Sequence, residues 1–552
     1  MIELKKYIQK IPSSTWILIA IILVGIFLRT YHFHDWLLFE SDQARDATLV
    51  SDVVDGHVAW PQFGPTMRKS GISEDNLFHL GPIYYYFQIL SAKIFGSAPD
   101  KMAYPDVLFS MLSIPLLYFF LRRYFDIDLS LVLVGIYAVS FFSIQYARFA
   151  WNSNLIPFFV ILFLLSLHEF LVKREKTNWI WPVLLGIAIG VGIQLHAIMI
   201  VLFGLVTFFV FVFLMKKNWR VWNKLLLVVA VIGIINSGQI INDAKNNFSN
   251  AKIFFNFPVN PSNNPNKFEE FFVNLKDDVG CHMEANTYML MSYSGTNSFS
   301  AGSASCSYLY SKPFENNKIM KLLGKTDFWL WILPGFLFSF VSFIFLLQIF
   351  FQEKNEQKKY FLGLVILYVA ASVVVMLPVY NSGFKEFRYS IHIFFVPIIL
   401  LGVLVNFLKQ KFPKIQPMAI FIIFTLIIVS NLVSIGSSAD AFYTNMTNSS
   451  NKVVLGEAES MITYLNTGNQ EVYLMGENGF KANFFKPLEY LAKRQNFNII
   501  DTGSVTEAVP LDRSLFYIDK NEKNISNITE IGGRKIVEHR VFGQVVIYKL
   551  DN

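Results

Sequence analysis

The chain has 552 residues, of which 53% are hydrophobic and 16% charged, and its mean hydropathy is +0.42. This composition excludes an ordinary soluble domain and is typical of a protein that crosses a membrane many times. The net charge of +7 does not indicate nucleic-acid binding, because the basic residues lie in short loops rather than in one patch. No nucleic-acid partner is expected.

Apolar segments of about 20 residues, the length that spans a bilayer, recur along the chain. The first is expected to be a retained helix that also directs insertion, because no small-residue cleavage site follows it. The expected fold is an all-α polytopic membrane protein. The predicted spans are 15–31, 107–122, 129–146, 154–172, 179–195, 197–215, 223–240, 328–350, 360–379, 389–408 and 416–435.

The charges of the short loops predict the topology. Lysine and arginine accumulate in cytoplasmic loops. With eleven spans, every lysine-rich short loop falls on one side, so we expect a cytoplasmic N-terminus and an outer C-terminus in a plasma membrane. The long segments 32–106, 241–327 and 436–552 then lie outside. The sequence thus predicts a membrane domain over 1–435 and an extracytoplasmic domain over 436–552.

The segment FESDQARDA at 39–47 follows the first span and carries the strongest functional signal. Ionisable residues at the end of an apolar helix are costly and are usually functional. We expect a helix from Ser41, as its N-cap, to about Asp55, with Asp42 and Asp46 on one face.

The first outer loop also contains HLGPIYYYFQILSAKIFG at 79–96. Its pattern predicts an amphipathic helix at the membrane interface, a depth that suits tyrosine. The two helices would form a platform at the membrane surface.

The two cysteines, Cys281 and Cys306, both fall in the second outer loop. An oxidising outer compartment permits disulfides, and a bridge would stabilise a polar loop with little core of its own. We predict that they are paired, with two free thiols as the alternative.

The tail has the composition of a small α/β domain. It shows no nucleophile motif, metal-ligand spacing or phosphate loop, so accessory packing or acceptor recognition is expected rather than catalysis. Strands are predicted at 471–475, 497–501, 514–519 and 545–550, and helices at 455–466 and 484–493.

Together these features resemble the GT-C superfamily of integral-membrane glycosyltransferases. The most similar branch contains the protein O-mannosyltransferases and the lipid A aminoarabinose transferases (glycosyltransferase family 39 and relatives). The resemblance covers most of 10–410, and it implies transfer of a sugar from a polyprenyl-phosphate carrier to an outer acceptor, with inversion. Besides the acidic and tyrosine-rich segments, it is carried by ARFAWNSNLIPFF (147–159), GIAIGVGIQLHA (186–197) and FRYSIHIFFVP (387–397).

The resemblance also implies that an acidic residue of the first outer loop is the general base. That position matches Asp42, but the family's usual Asp-Glu pair reads Asp42-Gln43 here, so Glu40 and Asp46 stay open as alternatives. Cations at the outer ends of spans would stabilise the leaving phosphate. The expected substrate-binding residues are Arg45, His79, Tyr84, Arg148, Asn152, Gln194, His196, Lys385 and Arg388.

Each of these residues has a structural alternative. Asp42 can be a surface carboxylate, Asp46 an ion-pair partner, and Arg148 and Arg388 side chains that anchor helix ends. The histidines and tyrosines can be ordinary interface residues. Two aspartates are too few ligands for a divalent metal site, so no metal or cofactor is expected.

Two other functions are weighed against the transferase. A transporter or flippase of a lipid-linked or small solute would show internal repeats and midspan charges, which are not found here. A non-catalytic scaffold of the same fold is the other alternative. It stays open because the sequence has Asp42-Gln43 where the family usually has an Asp-Glu pair. The expected partners are a lipid-linked sugar donor, a lipid, glycan or protein acceptor, and membrane lipids; the sequence specifies neither sugar nor acceptor.

Overall fold

The protein is largely helical, with one six-stranded sheet near its C-terminal end. Two of the predicted functional residues, Lys385 and Cys306, lie outside the part of the chain that the structure describes. The computed structural model describes residues 12–67, 77–217, 219–255, 267–292, 333–381, 387–414, 416–443, 454–502, 513–521, 528–543 and 545–551.

The helices up to residue 443 form a bundle. Those before the second outer loop are α1 (Ser13–Thr30), α2 (Ser41–Val54), α3 (Ile83–Phe95), α4 (Pro99–Met102), α5 (Tyr104–Leu121), α6 (Ile127–Val139), α7 (Phe141–Gln145), α8 (Ile156–Lys173), α9 (Ile180–Leu195), α10 (Ala197–Lys217), α11 (Trp222–Ile235) and α12 (Ser237–Lys245). Those that follow are α13 (Ser249–Phe255), α14 (Lys267–Met291), α15 (Leu333–Gln352), α16 (Glu356–Asn381), α17 (Val396–Lys411) and α18 (Gln416–Tyr443). Short 3-10 helices cover Asn152–Leu155, Arg174–Lys176, Trp219–Val221 and Phe387–Ile393.

The predicted spans are found as apolar helices. Among the described residues, seven helices are long and apolar enough to cross a bilayer, two bent helix pairs pass the same test, and two apolar helices are shorter. The bent pairs are 219–235 with α12, at 66°, and 387–393 with α17, at 57°. Each of the eleven predicted spans coincides with one of the seven helices, one of the two bent pairs or one of the two shorter helices, so the expected polytopic helical fold is confirmed.

One predicted span is divided. The apolar run 129–146 forms α6 and then the short helix α7, because Ser140 ends the first and caps the second. The Ser140 hydroxyl accepts a hydrogen bond from the backbone N–H of Ser143 at 3.4 Å, which is an N-cap contact. The helix therefore breaks within this apolar run, at a position that hydropathy does not predict.

The first outer loop begins with the predicted helix, but its cap differs from the prediction. Glu40, not Ser41, is the N-cap of α2, and it forms a capping box with Gln43. The Ser41 hydroxyl instead donates to the carbonyl of Ala482 in the tail at 3.2 Å. The Ser41 prediction was wrong because the reciprocal contacts between Glu40 and Gln43 satisfy both backbone N–H groups at the helix start.

The second predicted helix of this loop starts later than expected. His79 lies on a two-residue strand, β2 (Phe78–His79), which pairs antiparallel with β1 (Thr66–Met67). Helix α3 then begins at Ile83 directly after Pro82, because proline fixes a backbone angle that suits a helix start. It ends at Gly96, whose φ of +98° favours glycine.

Part of the second outer loop is a long helix against the bundle. Helix α14 packs against α15, α16 and α17, and Cys281 in it is fully buried. The amide of Asn431 and the hydroxyl of Ser434 donate to the carbonyls of Leu290 and Ser292, at 2.8 and 2.9 Å. Because Cys306 is not described, its pairing with Cys281 stays a prediction.

The tail is the predicted α/β unit. Its elements are α19 (Leu455–Leu465), β3 (Glu471–Gly476), α20 (Asn478–Arg494), β4 (Asn498–Asp501), β5 (Ser514–Lys520), β6 (Glu530–Ile531), β7 (Arg534–Phe542) and β8 (Val545–Leu550). The sheet has the order β4-β3-β5-β8-β7-β6, parallel among the first three strands and antiparallel beyond. The four predicted strands are present, and β6 and β7 add an edge that the sequence did not predict.

The tail packs on the first outer loop. The backbone N–H of Leu455 donates to the carbonyl of Leu37 at 2.8 Å, and the Tyr490 hydroxyl contacts Ser51 of α2 at 2.9 Å and Ser97 at 2.6 Å. Buried apolar residues of the tail and of the bundle belong to one continuous cluster. Helix α18 continues to Tyr443, beyond the predicted boundary at 435, and the division into two domains stays a prediction.

A histidine joins these two parts of the chain and predicts a pH effect. His34 lies 3.3 Å from Asp100 and 3.0 Å from Glu459 of α19. Burial lowers the pKa of His34, but the two carboxylates outweigh it and the pKa is raised. Since the folded pKa exceeds the unfolded one, the stabilisation is complete below the unfolded pKa of about 6.5 and is lost as pH rises through the folded value.

We therefore expect hydrogen exchange of α19 to become faster, relative to the rest of the tail, as pH rises from the unfolded pKa of about 6.5 through the raised pKa of folded His34. The comparison is made after correction for the intrinsic pH dependence of exchange. Lys101, 2.8 Å from Asp100, keeps that carboxylate paired throughout. A His34→Gln variant should show no such pH step, and an equal step in this variant would contradict the assignment.

Candidate functional site

Arg45 binds two carboxylates on α2. Its Nη1 lies 2.9 Å from Asp42 Oδ1 and its Nη2 lies 2.8 Å from Asp46 Oδ1, so the two aspartates share a face as predicted. Their surroundings differ, because 77% of the Asp42 side chain is exposed and 10% of the Asp46 side chain. Asp42 also lies in the first turn of the helix, where the helix dipole stabilises a negative charge.

Asp46 is enclosed by its partners. The Tyr85 hydroxyl donates to Asp46 Oδ1 at 2.9 Å, and Arg45 Nε donates to the same oxygen at 2.9 Å. Burial raises the pKa of Asp46, and Arg45 and Tyr85 offset only part of that effect. Burial and the charge of Asp46 together raise the pKa of the Tyr85 hydroxyl. These contacts agree with the alternative predicted for Asp46, that it is the ion-pair partner of an arginine.

Glu40 and Gln43 have structural contacts of their own. The Glu40 side chain accepts from the backbone N–H of Gln43, whose Oε1 accepts from the backbone N–H of Glu40 at 3.2 Å. The Gln43 Nε2 donates to the carbonyl of Ala150 at 3.0 Å. The glutamine in the Asp42-Gln43 pair therefore ties α2 to the 146–151 turn.

Asp106 is a buried carboxylate that the sequence analysis missed. Its Oδ2 accepts from the Tyr84 hydroxyl at 3.0 Å, and its Oδ1 accepts from the backbone N–H of Trp151 and from Asn154 Nδ2, each at 3.1 Å. It joins α3, α5 and the turn before α8. A signal existed in the sequence, because an acidic residue after a proline at the start of an apolar run is typical of a helix first turn.

Arg148 lies at the end of the first membrane helix. Its guanidinium donates to the carbonyls of Leu28, Arg29 and His32 at 3.4, 3.2 and 3.1 Å, and it is 2% exposed. It also lies over the ring of Trp36, 5.7 Å from the centroid. Burial lowers its pKa to about 10. Arg148 thus satisfies the carbonyls that end α1.

Gln194 and Asn152 hold backbone groups of the surrounding loops. Gln194 Oε1 accepts from the N–H of Ile83 at 3.1 Å, which fixes the start of α3 against the end of α9. Asn152 Nδ2 donates to the carbonyl of Leu195. Their predicted role as sugar contacts is not tested by these bonds, but the polar atoms involved are already occupied.

The two predicted histidines have different hydrogen-bond partners. The ring of His196 accepts from the backbone N–H of Ile198 at 3.2 Å, in the turn between α9 and α10. The backbone of His79 exchanges hydrogen bonds of 2.8 and 3.0 Å with the Asn250 side chain, and its ring lies 5.3 Å from that of Phe63. Burial lowers the pKa of His79.

Gly81 allows the Gln194 side chain to approach the backbone before α3, because glycine has no Cβ. A Cβ at Gly81 would lie 2.3 to 2.5 Å from side-chain atoms of Gln194. We expect Gly81→Ala to force Gln194 away from Ile83 and to destabilise the protein by about 1–3 kcal/mol, a typical cost of overpacking. The apparent melting temperature in detergent measures this. Gly204→Ala, which meets nothing within 4 Å, is the matched control; equal shifts in both variants would refute the prediction.

Arg388 lies on the 3-10 helix that precedes α17. Its Nη2 donates to the Tyr389 hydroxyl at 3.1 Å, and its guanidinium lies 5.1 Å from the centre of that ring. Lys385, predicted beside it, is not described.

A chain of buried polar residues near this helix was also missed. Ser372 Oγ lies 2.7 Å from His392 Nε2 and 3.1 Å from His282 Nε2, and His282 Nδ1 lies 3.1 Å from Asp278. The residues come from α14, α16 and the 387–393 helix, which are far apart in the sequence. No local sequence motif therefore predicts that they are in contact. Among the described residues, no group of three or more His, Cys, Asp or Glu side chains is arranged to hold a metal ion.

Residues 79–237 match the family model for dolichyl-phosphate-mannose-protein mannosyltransferases. This segment resembles the protein mannosyltransferases. The match runs from the end of β2 through α11 and includes α3, Asp106 and the 146–151 turn. The predicted resemblance to GT-C glycosyltransferases is thereby confirmed over this segment. No curated protein matches the sequence.

Three solved structures are similar to the chain at 12% identity. ArnT from Cupriavidus metallidurans bound to undecaprenyl phosphate has a TM-score of 0.48, with 98% of each chain covered. The apo state of the same protein has a TM-score of 0.46, with 97% of each chain covered. The oligosaccharyltransferase of Archaeoglobus fulgidus with zinc and sulfate has a TM-score of 0.45, covering 88% of this chain and 62% of that one.

Proposed function

We propose that the protein is a glycosyltransferase that moves a sugar from a polyprenyl-phosphate carrier to an acceptor on the outer face of the plasma membrane, with inversion. The observation that carries this proposal is the exposed carboxylate of Asp42 beside Arg45, in the loop that follows an apolar helix. The match of 79–237 to enzymes named for dolichyl-phosphate-mannose supports the donor class. The loop charges support a cytoplasmic N-terminus and an outer tail.

Asp42 is the proposed general base. The acceptor oxygen attacks the anomeric carbon, the bond from that carbon to the phosphate oxygen breaks with its electron pair on the phosphate, and the acceptor proton passes to Asp42. Its exposure supports this assignment. Glu40 and Asp46 are less suited, because Glu40 is held in the capping box of α2 and only 10% of the Asp46 side chain is exposed.

The leaving phosphate needs positive charge rather than a proton. Arg45 and Arg388 are the proposed contacts, with Lys385 close to Arg388 in sequence. A guanidinium suits a phosphate because it donates two parallel hydrogen bonds. For Arg148 we propose a positioning role, because three backbone carbonyls at the end of α1 occupy its guanidinium.

The remaining predicted substrate contacts also divide into positioning residues and residues that contact the substrate. We propose that Tyr84 and Gln194 position the first outer loop, and that Asn152 positions the turn before α8 against the end of α9, since each forms a hydrogen bond to another part of the fold. His79 and His196 remain the proposed contacts to the acceptor or the phosphate.

The test is release of free polyprenyl phosphate from polyprenyl-phosphate-linked sugars by the purified protein, measured by mass spectrometry with candidate acceptors. The protein denatured by heat is the control. Release with a product of inverted anomeric configuration supports the proposal, and a retained configuration overturns the single-displacement mechanism. Movement of the intact donor across vesicle membranes without release would favour the flippase alternative.

A further inference from the structure

An open cavity lies at the opposite end of the bundle from α2. It has a volume of about 450 Å³ and is bounded by α10, α15 and α16, with Leu171 of α8 at its back. This volume falls within the range of about 300–1,000 Å³ typical of ligand sites. Phenylalanines form its walls, and Phe209 and Phe213 are 52% and 39% exposed on the outside of the bundle. The cavity therefore opens where lipid chains surround the protein.

Cations line the same cavity beside its apolar walls. Lys217 Nζ lies 3.5 Å from the Tyr360 hydroxyl and 4.8 Å from the centre of the Phe213 ring. Lys359 Nζ lies 5.5 Å from the centre of the Phe350 ring. Within the described residues, neither lysine forms an ion pair, so both charges can face a ligand.

Glu356, the carboxylate that lines the cavity, forms an ion pair with Arg174. Glu356 lies 3.6 Å from Arg174, which also donates to the Tyr360 hydroxyl at 3.1 Å. This arrangement leaves the charges of Lys217 and Lys359 as an excess at the mouth. An excess of positive charge beside an apolar groove matches a ligand that has an anionic head and a hydrocarbon tail.

We propose that this cavity binds an anionic phospholipid, with one acyl chain between the phenylalanines and the phosphate between Lys217 and Lys359. The basic loops place this end of the bundle on the cytoplasmic side, where anionic lipids interact with basic pockets between helices. The site is separate from α2 and does not depend on the proposed transferase reaction.

Native mass spectrometry of the detergent-purified chain with dioleoylphosphatidylglycerol tests the proposal. We expect one tightly bound lipid, and about 30-fold weaker binding in Lys217→Gln/Lys359→Gln, because each lysine contributes to attraction of an anionic lipid. The matched control is Lys216→Gln/Lys358→Gln, which removes the same charge from neighbouring positions that do not line the cavity. It should bind as the unaltered chain does.

A second variant tests the acyl-chain position without a change of charge. Leu367→Trp fills the cavity and should weaken lipid binding, while excess inorganic phosphate should not displace the lipid. Equal loss in the two lysine variants, equal affinity for dioleoylphosphatidylcholine, displacement by inorganic phosphate, or unchanged binding in Leu367→Trp would each overturn the proposal. Apparent melting temperatures without lipid check that every variant is folded.

Discussion

Replacing Asp42 by asparagine should lower the rate of polyprenyl-phosphate release by about 10²–10⁴-fold, the contribution typical of a general base. Asparagine has nearly the same shape but cannot take the acceptor proton. The Asp42 side chain is mostly exposed, and Arg45 retains its ion pair with Asp46 in the variant. The fold should therefore be unchanged. The measurement is the initial rate of release at saturating donor, with the apparent melting temperature measured in parallel.

The matched control for this variant is Asp52→Asn, which removes a carboxylate from the same helix outside the Arg45 cluster. It should release polyprenyl phosphate at the rate of the unaltered chain. Full activity in Asp42→Asn would show that Asp42 is not the base, and the same assay on Glu40→Gln and Asp46→Asn would then locate it. Equal losses in the Asp42 and Asp52 variants would indicate a general effect of charge on α2.

The second large effect is expected at Asp106. Asp106→Ala leaves three donors without their acceptor, the Tyr84 hydroxyl, the Trp151 N–H and the Asn154 amide. Since an unsatisfied buried polar group costs about 1–3 kcal/mol, we expect a loss of about 3 kcal/mol or more and a clear fall in apparent melting temperature. Activity should fall as well, because α3 and the 146–151 turn lose their common anchor.

The matched control is Asp128→Ala, in the corresponding first turn of the short apolar helix α6. Asp128 is exposed, so its removal should leave the melting temperature nearly unchanged. Asp106→Asn is a second comparison, because an asparagine keeps one acceptor oxygen and should recover part of the loss. An unchanged melting temperature in Asp106→Ala would refute the anchoring role.

The parts of the fold that the sequence predicted are those that depend on local composition. Runs of about 20 apolar residues specify membrane helices almost by themselves, so nine of the predicted spans coincide with a long apolar helix or a bent helix pair, and the other two with shorter apolar helices. The helix boundaries depend on single side chains. Ser140 and Pro82 place two of these boundaries at positions that differ from the predicted ones. Strand β7 was missed because most of its residues are exposed, including a consecutive run of them, so it lacks an apolar alternation.

The candidate site was predictable only in part, for the same physical reason. The Asp42–Arg45–Asp46 cluster is local, so helical spacing placed its members together. The contacts of Asp106 join residues 22 to 48 positions apart, and those of Ser372 join three helices. No periodicity encodes such contacts, and they become visible only when the helices are packed.

The first helix also has a consequence for the biogenesis of the protein. Arg29 in α1 is fully buried and donates to Ser110 of α5 at 2.8 Å and to the Ala138 carbonyl of α6 at 2.8 Å. Arg148, synthesised later, donates to carbonyls at the end of α1. A charged side chain at membrane depth is costly until it finds such partners. Arg29 therefore acquires these partners only after α5 and α6 have been synthesised, and the end of α1 acquires Arg148 later still.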